Sequence, residues 1–233
     1  MTNKAGQQMK RAVVTMSFGT EWDKVLSLTQ PRIEDFAKRN QIDFILINRS
    51  VMDPKDYNKS LIGNILVGRG YEQCIYIDCD CLVTKDCDDF ANPKEEGNDG
   101  FIAFDEGDFL DRKEGMKKLA AQYGGTITPT YYFNFGVFAI RRKHVGLLSL
   151  PPLGVVPNHF GMQTWANIQA HLWDIPLSGL DPAYNCMTSV EEQYGLDRHK
   201  DAYIIHYAGQ SNNLDKLAAT IAADEAKLKE LGR

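Results

Sequence analysis

Short apolar runs closed by polar turns recur at positions 12–16, 42–47 and 74–77, the length and boundary pattern of buried strands. Between them, apolar residues at helical spacing cover 21–39 and 57–67. The opening therefore reads β-α-β-α-β, which predicts a parallel sheet covered by helices, with ligands gathering at the carboxyl ends of the strands. Further on, 100–104 and 131–140 read as strands around a charged helical segment at 109–122, followed by a helix at 158–172 and a strand at 202–207. A closing amphipathic helix covers 214–231, with Leu214, Leu217, Ile221, Leu228 and Leu231 spaced for burial. The pattern predicts one α/β domain with a mixed second half.

Composition narrows the function classes. A net charge of -5 argues against coating nucleic acid, which draws on a surplus of Lys and Arg. Nucleic-acid partners are therefore not expected, although local basic groups can still hold one diphosphate. The first ten residues are polar and the apolar stretch after them ends by Ser17, short of a signal-peptide core or a membrane span. Of the five cysteines, Cys74, Cys79, Cys81 and Cys87 crowd into one segment; reduced thiols in a cytoplasmic protein fit best. A zinc site from Cys79, Cys81 and Cys87 is the alternative, but its C-x-C start departs from paired C-x-x-C hooks. Neither G-x-G-x-x-G nor G-x-x-x-x-G-K-[ST] occurs, which removes the main support for dinucleotide and P-loop readings.

The chemistry concentrates where the third strand ends. In Ile75, Tyr76, Ile77, Asp78, Cys79, Asp80, two carboxylates follow an apolar strand two residues apart, and an extended backbone would point both to one side, roughly 6 to 7 Å apart. Two such charges at the edge of a dry sheet disfavour each other unless a cation lies between them. Mn²⁺ or Mg²⁺ is the expected ion, because both take oxygen ligands and pair carboxylates with substrate phosphates.

With its flanks, YEQCIYIDCDCLV resembles the aspartate-x-aspartate segment of GT-A glycosyltransferases, particularly the glycogenin-like family eight. NKSLIGNIL around Lys59, YFNFGVFAI at 132–140, 161–167, LDPAYN at 180–185 and IIHYAG at 204–209 extend the resemblance in family order, from Val13 to Gly209. It implies a single GT-A-like α/β domain. Its 12–105 half would be Rossmann-like and bind nucleotide and metal, 106–212 would serve donor sugar and acceptor, and 213–233 would form the terminal helix. The implied activity is metal-dependent transfer of a sugar from a nucleotide-diphosphate sugar, UDP-linked in the family, to a hydroxyl acceptor with retention.

By position, the resemblance makes Asp78, Asp80 and His206 the metal ligands. It puts Thr15, Met16, Trp22, Lys59, Asn134, Gly136, Gly209 and Lys216 at the donor, and Gln163 and Asp105 beside the reacting carbon. Several of these residues admit a second reading. Trp22 either stacks on the base or anchors the first helix to the core; Lys59 is a donor contact or a solvated helix cation. Asn134, between Phe133 and Phe135, orients a sugar hydroxyl or sits in a bulge on a buried partner.

The chain departs from the family in two places. Met162-Gln163 replaces Asp-Gln, and Gly209 is followed by Gln210, Ser211 and Asn212 instead of the family's G-x-x-K-P-W, which leaves Lys216 as the substitute phosphate lysine. Two other functions compete. A haloacid-dehalogenase-like phosphatase would use Asp78 and Asp80 with an acidic motif at 107–111, although Leu82 replaces that family's Thr or Val. A nucleotide-sugar-binding protein without turnover would account for Met162.

Overall fold

The computed structural model describes residues 9–92, 100–107, 111–152 and 161–233. In chain order these hold β1 (Arg11–Met16), α1 (Thr20–Arg39), β2 (Asp43–Ile47), a 3₁₀ turn (Lys55–Ser60), α2 (Leu61–Gly68), β3 (Gln73–Ile77), β4 (Cys81–Val83) and β5 (Phe101–Asp105). Then follow α3 (Lys113–Gln122), β6 (Phe133–Arg141), a 3₁₀ turn (Arg142–Leu148), α4 (Gly161–Leu172), β7 (Leu177–Gly179), a 3₁₀ turn (Pro182–Asn185), α5 (Thr188–Tyr194), β8 (Ile204–His206) and α6 (Leu214–Glu230). Six strands form a central sheet in the order β2-β1-β3-β6-β5-β7, and β4 and β8 form a second, two-stranded sheet. The architecture is mixed α/β, as the sequence pattern requires. Residue contacts divide the chain into two compact units: Ala12–Arg49 with Ile75–Phe90 and Leu180–Arg233, and Met1–Arg11 with Ser50–Cys74 and Ala91–Gly179.

In the first of these units, β1 and β2 run parallel, Val13 opposite Phe44 and Thr15 opposite Leu46. Parallel neighbours need a crossover, and α1 supplies it. Its buried side chains Val25, Leu26, Thr29, Ile33, Phe36 and Ala37 recur at three- and four-residue steps. Glu21 and Asp23 in the first turn and Lys38 and Arg39 in the last complement the helix dipole. The closing helix α6 starts at Asn213, whose side chain caps the Lys216 N–H at 3.0 Å. It buries Leu217, Ile221 and Leu228 in a cluster with Val25, Leu82, Ile205 and Tyr207. Leu214 only packs on the rim of that cluster, and Leu231, expected inside, is exposed because the helix ends at Glu230.

In the other unit, β5 pairs antiparallel with β6 and parallel with β7, and the β5–β6 register shifts between Ala103 and Asp105. Phe101, Phe133, Phe135 and Phe138 pack ring on ring there. The helix expected over 57–67 is split. Asn58 is buried and its amide bonds Met52 O, Lys55 O and the Val51 N–H, so the segment tightens into a 3₁₀ turn before α2 begins. The helices expected from 109 and 158 are seen from Lys113 and Gly161; positions 109–110 and 158–160 lie outside the described residues. The short elements β4, β7 and α5 carry too few residues for a periodic signal.

Candidate active site

The strand β3 stops at Ile77, and Asp78 to Cys81 form a turn closed by the Cys81 N–H on Asp78 O at 3.1 Å. The same-side argument for Asp78 and Asp80 therefore does not hold, because strand alternation ends one residue before the pair. Asp78 instead accepts the Tyr76 hydroxyl at 2.5 Å. Burial first, and the Asp78 carboxylate second, push the Tyr76 phenol well above its ordinary pKa, so it remains a donor. The turn is anchored by Thr29, whose hydroxyl donates to Cys79 O at 2.7 Å, and by the Tyr207 N–H on Asp80 O at 3.0 Å.

Asp80 turns toward His206, with Nε2 3.7 Å from its Oδ1. His206 ends β8, which runs antiparallel to β4 and sets Cys81 directly opposite it. The Cys186 strand-like bridge pins the other side, through the His206 N–H on Cys186 O at 3.0 Å. Asn185 Oδ1 sits 2.6 Å from His206 Nδ1. Since that oxygen only accepts, Nδ1 donates to it, and Nε2 is the ring nitrogen turned toward the Asp80 carboxylate. His206 Nε2 and Asp80 Oδ1 thus face each other, two atoms that can both ligate a cation. Outer partners of this kind fix a metal-binding imidazole in its tautomer and orientation. One donor atom each from Asp80, Cys81 and His206 lies within 4.8 Å of the others. The donor set therefore fits a divalent ion. Among the described residues Cys79 and Cys87 belong to no such group, so the three-cysteine site is not formed.

A second cluster lies in the unit built on β5 and β6. Glu106 is 3 % exposed and accepts from Asn134 Nδ2 at 3.0 Å and Gln163 Nε2 at 2.8 Å, with Arg112 Nε at 3.3 Å. Gln163 and Asn167, one turn apart on α4, hold the N–H groups of Phe135 and Phe133 at 3.1 and 2.8 Å. These buried strand donors need partners, and two side-chain amides supply them. Asn134 also accepts the Gly136 N–H at 2.8 Å. The buried partner that Asn134 needs is thus a protein group, Glu106. Asp105 takes the N–H groups of Gly107 and Tyr132 on one oxygen, both at 2.9 Å. Gly107 is obligatory, because a Cβ there would come within 2.8 Å of the Tyr132 nitrogen.

The remaining candidates divide by environment. Thr15 and Met16 end β1 and are buried, and Thr15 Oγ1 has no hydrogen-bond partner among the described residues. Trp22 is half-buried and packs against the α6 core cluster. Lys59 is no solvated cation: it is half-buried, donates to Phe135 O at 2.6 Å and lies 5.5 Å from that ring. Gly209 turns the chain after β8 at φ 78°, a left-handed conformation suited to glycine. Lys216 is exposed on the first turn of α6. The acidic motif of the phosphatase alternative, at 107–111, lies partly outside the described residues.

Sequence reasoning missed Glu106 and Asn185, and named Cys81 only with Cys79 and Cys87 in a zinc alternative. Glu106 adjoins the assigned Asp105, and Asn185 lies inside the quoted LDPAYN segment, but only packing shows that one faces two amides and the other an imidazole.

No protein-family model and no curated protein sequence matches the chain. Solved structures do, at the level of the fold. A glycosyltransferase involved in glycosylating the major capsid of PBCV-1 aligns over 92% of this chain and 99% of its own, at 14% identity and a TM-score of 0.61. GlyE of Streptococcus pneumoniae TIGR4 aligns over 96% of this chain at 17% identity and a TM-score of 0.56. The bifunctional WbbM aligns over 95% at 12% identity and a TM-score of 0.53. The chain spans 63% of the GlyE structure and 52% of the WbbM structure. The chain shares its fold with these solved glycosyltransferase structures.

Proposed function

We propose that this chain is a divalent-metal-dependent glycosyltransferase that moves a hexosyl group from a nucleotide-diphosphate sugar, UDP-linked, to a hydroxyl acceptor with retention. The supporting observation is the His206 imidazole, held by Asn185 so that its Nε2 faces Asp80, in a fold shared with glycosyltransferases. In this reading Asp80 and His206, with Asp78, hold Mn²⁺ or Mg²⁺. The ion supplies neutralising charge for a diphosphate leaving group.

The chain's own residues position the donor. The ends of β1 (Thr15, Met16) and Trp22 line the base. Asn134, Gly136 and Lys59 are assigned to the sugar side, and Gly209 and Lys216 to the phosphates. Glu106 keeps Asn134 and Gln163 in fixed rotamers, which supports a precise sugar contact. Asp105 and Gln163 are assigned to the reacting carbon. Nucleotide and metal binding are assigned to residues 12–105, and sugar and acceptor binding to 106–212. No helix among the described residues is long and apolar enough to cross a membrane; with five buried cysteines, all thiols, a cytoplasmic location is proposed.

Asp80→Asn tests the assignment. If the ion contributes several kcal/mol at the transition state, donor hydrolysis or transfer in Mn²⁺ falls about a thousandfold or more. Near-normal metal-dependent turnover in that variant contradicts it. Retention is read from the anomeric configuration of the product by NMR, inversion being the contrary result.

A further inference from the structure

Cys81 has no role in the assignment above, yet it is the residue the fold places most firmly beside His206. It opens β4 directly opposite His206 in an antiparallel pair, and opposed residues of such a pair send their side chains to the same face. Sγ, the imidazole and the Asp80 carboxylate come within 4.8 Å of one another, with Cys81 fully buried and His206 nearly so. Donor atoms around a tetrahedral ion are separated by about 3.3 to 3.6 Å, given bonds of about 2.0 to 2.3 Å. The Asp80–His206 pair, at 3.7 Å, is close to that spacing. Asp78, by contrast, is engaged by Tyr76.

We infer that Cys81 is a metal ligand in the position assigned above to Asp78, completing with Asp80 and His206 a sulfur, nitrogen and oxygen site that selects borderline divalent ions such as Co²⁺ and Zn²⁺ over Mg²⁺. The inference rests on the divalent-metal reading of this site. As the sulfur–metal bond forms, the thiol proton leaves to solvent. Thiolate and carboxylate then balance the two positive charges of the ion, so the buried site closes neutral, with the neutral imidazole as third donor. Thiolate and imidazole favour softer ions than an all-oxygen site does. Three protein donors also leave a position for a ligand oxygen, as in catalytic sites.

The test is titration of the full chain with Co²⁺ under reducing conditions, followed by absorbance. A thiolate-to-cobalt charge-transfer band saturating at one equivalent is expected, lost in Cys81→Ser and retained in Cys79→Ser. Cys81→Ser should weaken Co²⁺ binding by about tenfold or more while leaving the weaker Mg²⁺ binding nearly unchanged. Cobalt d–d bands without the charge-transfer band, or a band that survives in Cys81→Ser, overturn the inference and leave the metal reading intact. Absence of both Co²⁺ and Mn²⁺ binding overturns the two together. The wild-type spectrum needs no variant, and far-ultraviolet circular dichroism of Cys81→Ser and Cys81→Ala separates lost ligation from lost folding.

Discussion

Glu106→Leu removes an acceptor that two side-chain amides were folded to meet. The carboxylate accepts from Asn134 at 3.0 Å and Gln163 at 2.8 Å, with Arg112 at 3.3 Å, and is 3 % exposed. Hydrogen bonds to a charged group contribute about 1.5 to 3 kcal/mol each, and a buried donor left unpaired costs about 1 to 3 kcal/mol. Leucine fills most of the volume and recovers part of the loss by apolar burial. The net expectation is about 3 to 4 kcal/mol of destabilisation, in the range seen when one partner of a buried charged pair is removed. Glu106→Gln keeps one carbonyl oxygen and turns an NH₂ toward another donor, so it should lose less, about 1 to 3 kcal/mol. Urea unfolding followed by circular dichroism gives both values. A cycle with Gln163→Leu should show a coupling of about 1 to 2 kcal/mol, because both changes remove the same bond. Stability of Glu106→Leu within about 0.5 kcal/mol of wild type, or strict additivity with Gln163→Leu, would refute the network as an energetic unit.

Two further outcomes are expected. Asn185→Leu deprives His206 Nδ1 of its acceptor, so Mn²⁺ affinity by calorimetry should fall about 10- to 100-fold; unchanged affinity would make Asn185 purely structural. Burial raises the Cys74 thiol from its ordinary 9.0 to about 12. In that window the unfolded thiol has lost its proton while the folded one keeps it, so stability falls as pH rises, by about 1.4 kcal/mol per pH unit from this group. Urea midpoints for wild type should therefore decline more steeply above pH 9 than those of Cys74→Ser; parallel declines would contradict the assignment.

What the sequence made legible followed from periodicity. The strands β1, β2 and β3 and the helices α1 and α6 carry enough apolar repeats to be placed within a residue or two at most ends. Position in the resemblance brought Asp80 and His206 forward, and the fold sets their side chains 3.7 Å apart. What failed was local backbone geometry. Asp78 and Asp80 look like an alternating pair, but the Asp78–Cys81 turn breaks the alternation, and no periodic argument detects a turn four residues long. Side-chain partners were equally hidden: Asn134 needs one, but only packing shows that it is Glu106. The same limit hid the partner of Cys81, which the sequence groups with Cys79 and Cys87 and the β4–β8 pairing sets opposite His206.

The claim that a metal held by this chain grips a nucleoside diphosphate is tested most directly by the melting temperature with UDP in the presence of Mn²⁺ and of a chelator. At about one hundred times Kd a ligand adds about 2.7 kcal/mol, which for a chain of this size raises Tm by about 5 to 10 °C. The account predicts that rise for UDP with Mn²⁺ and almost none with chelator. An equal rise in chelator, or no rise with any nucleoside diphosphate in Mn²⁺, would contradict it.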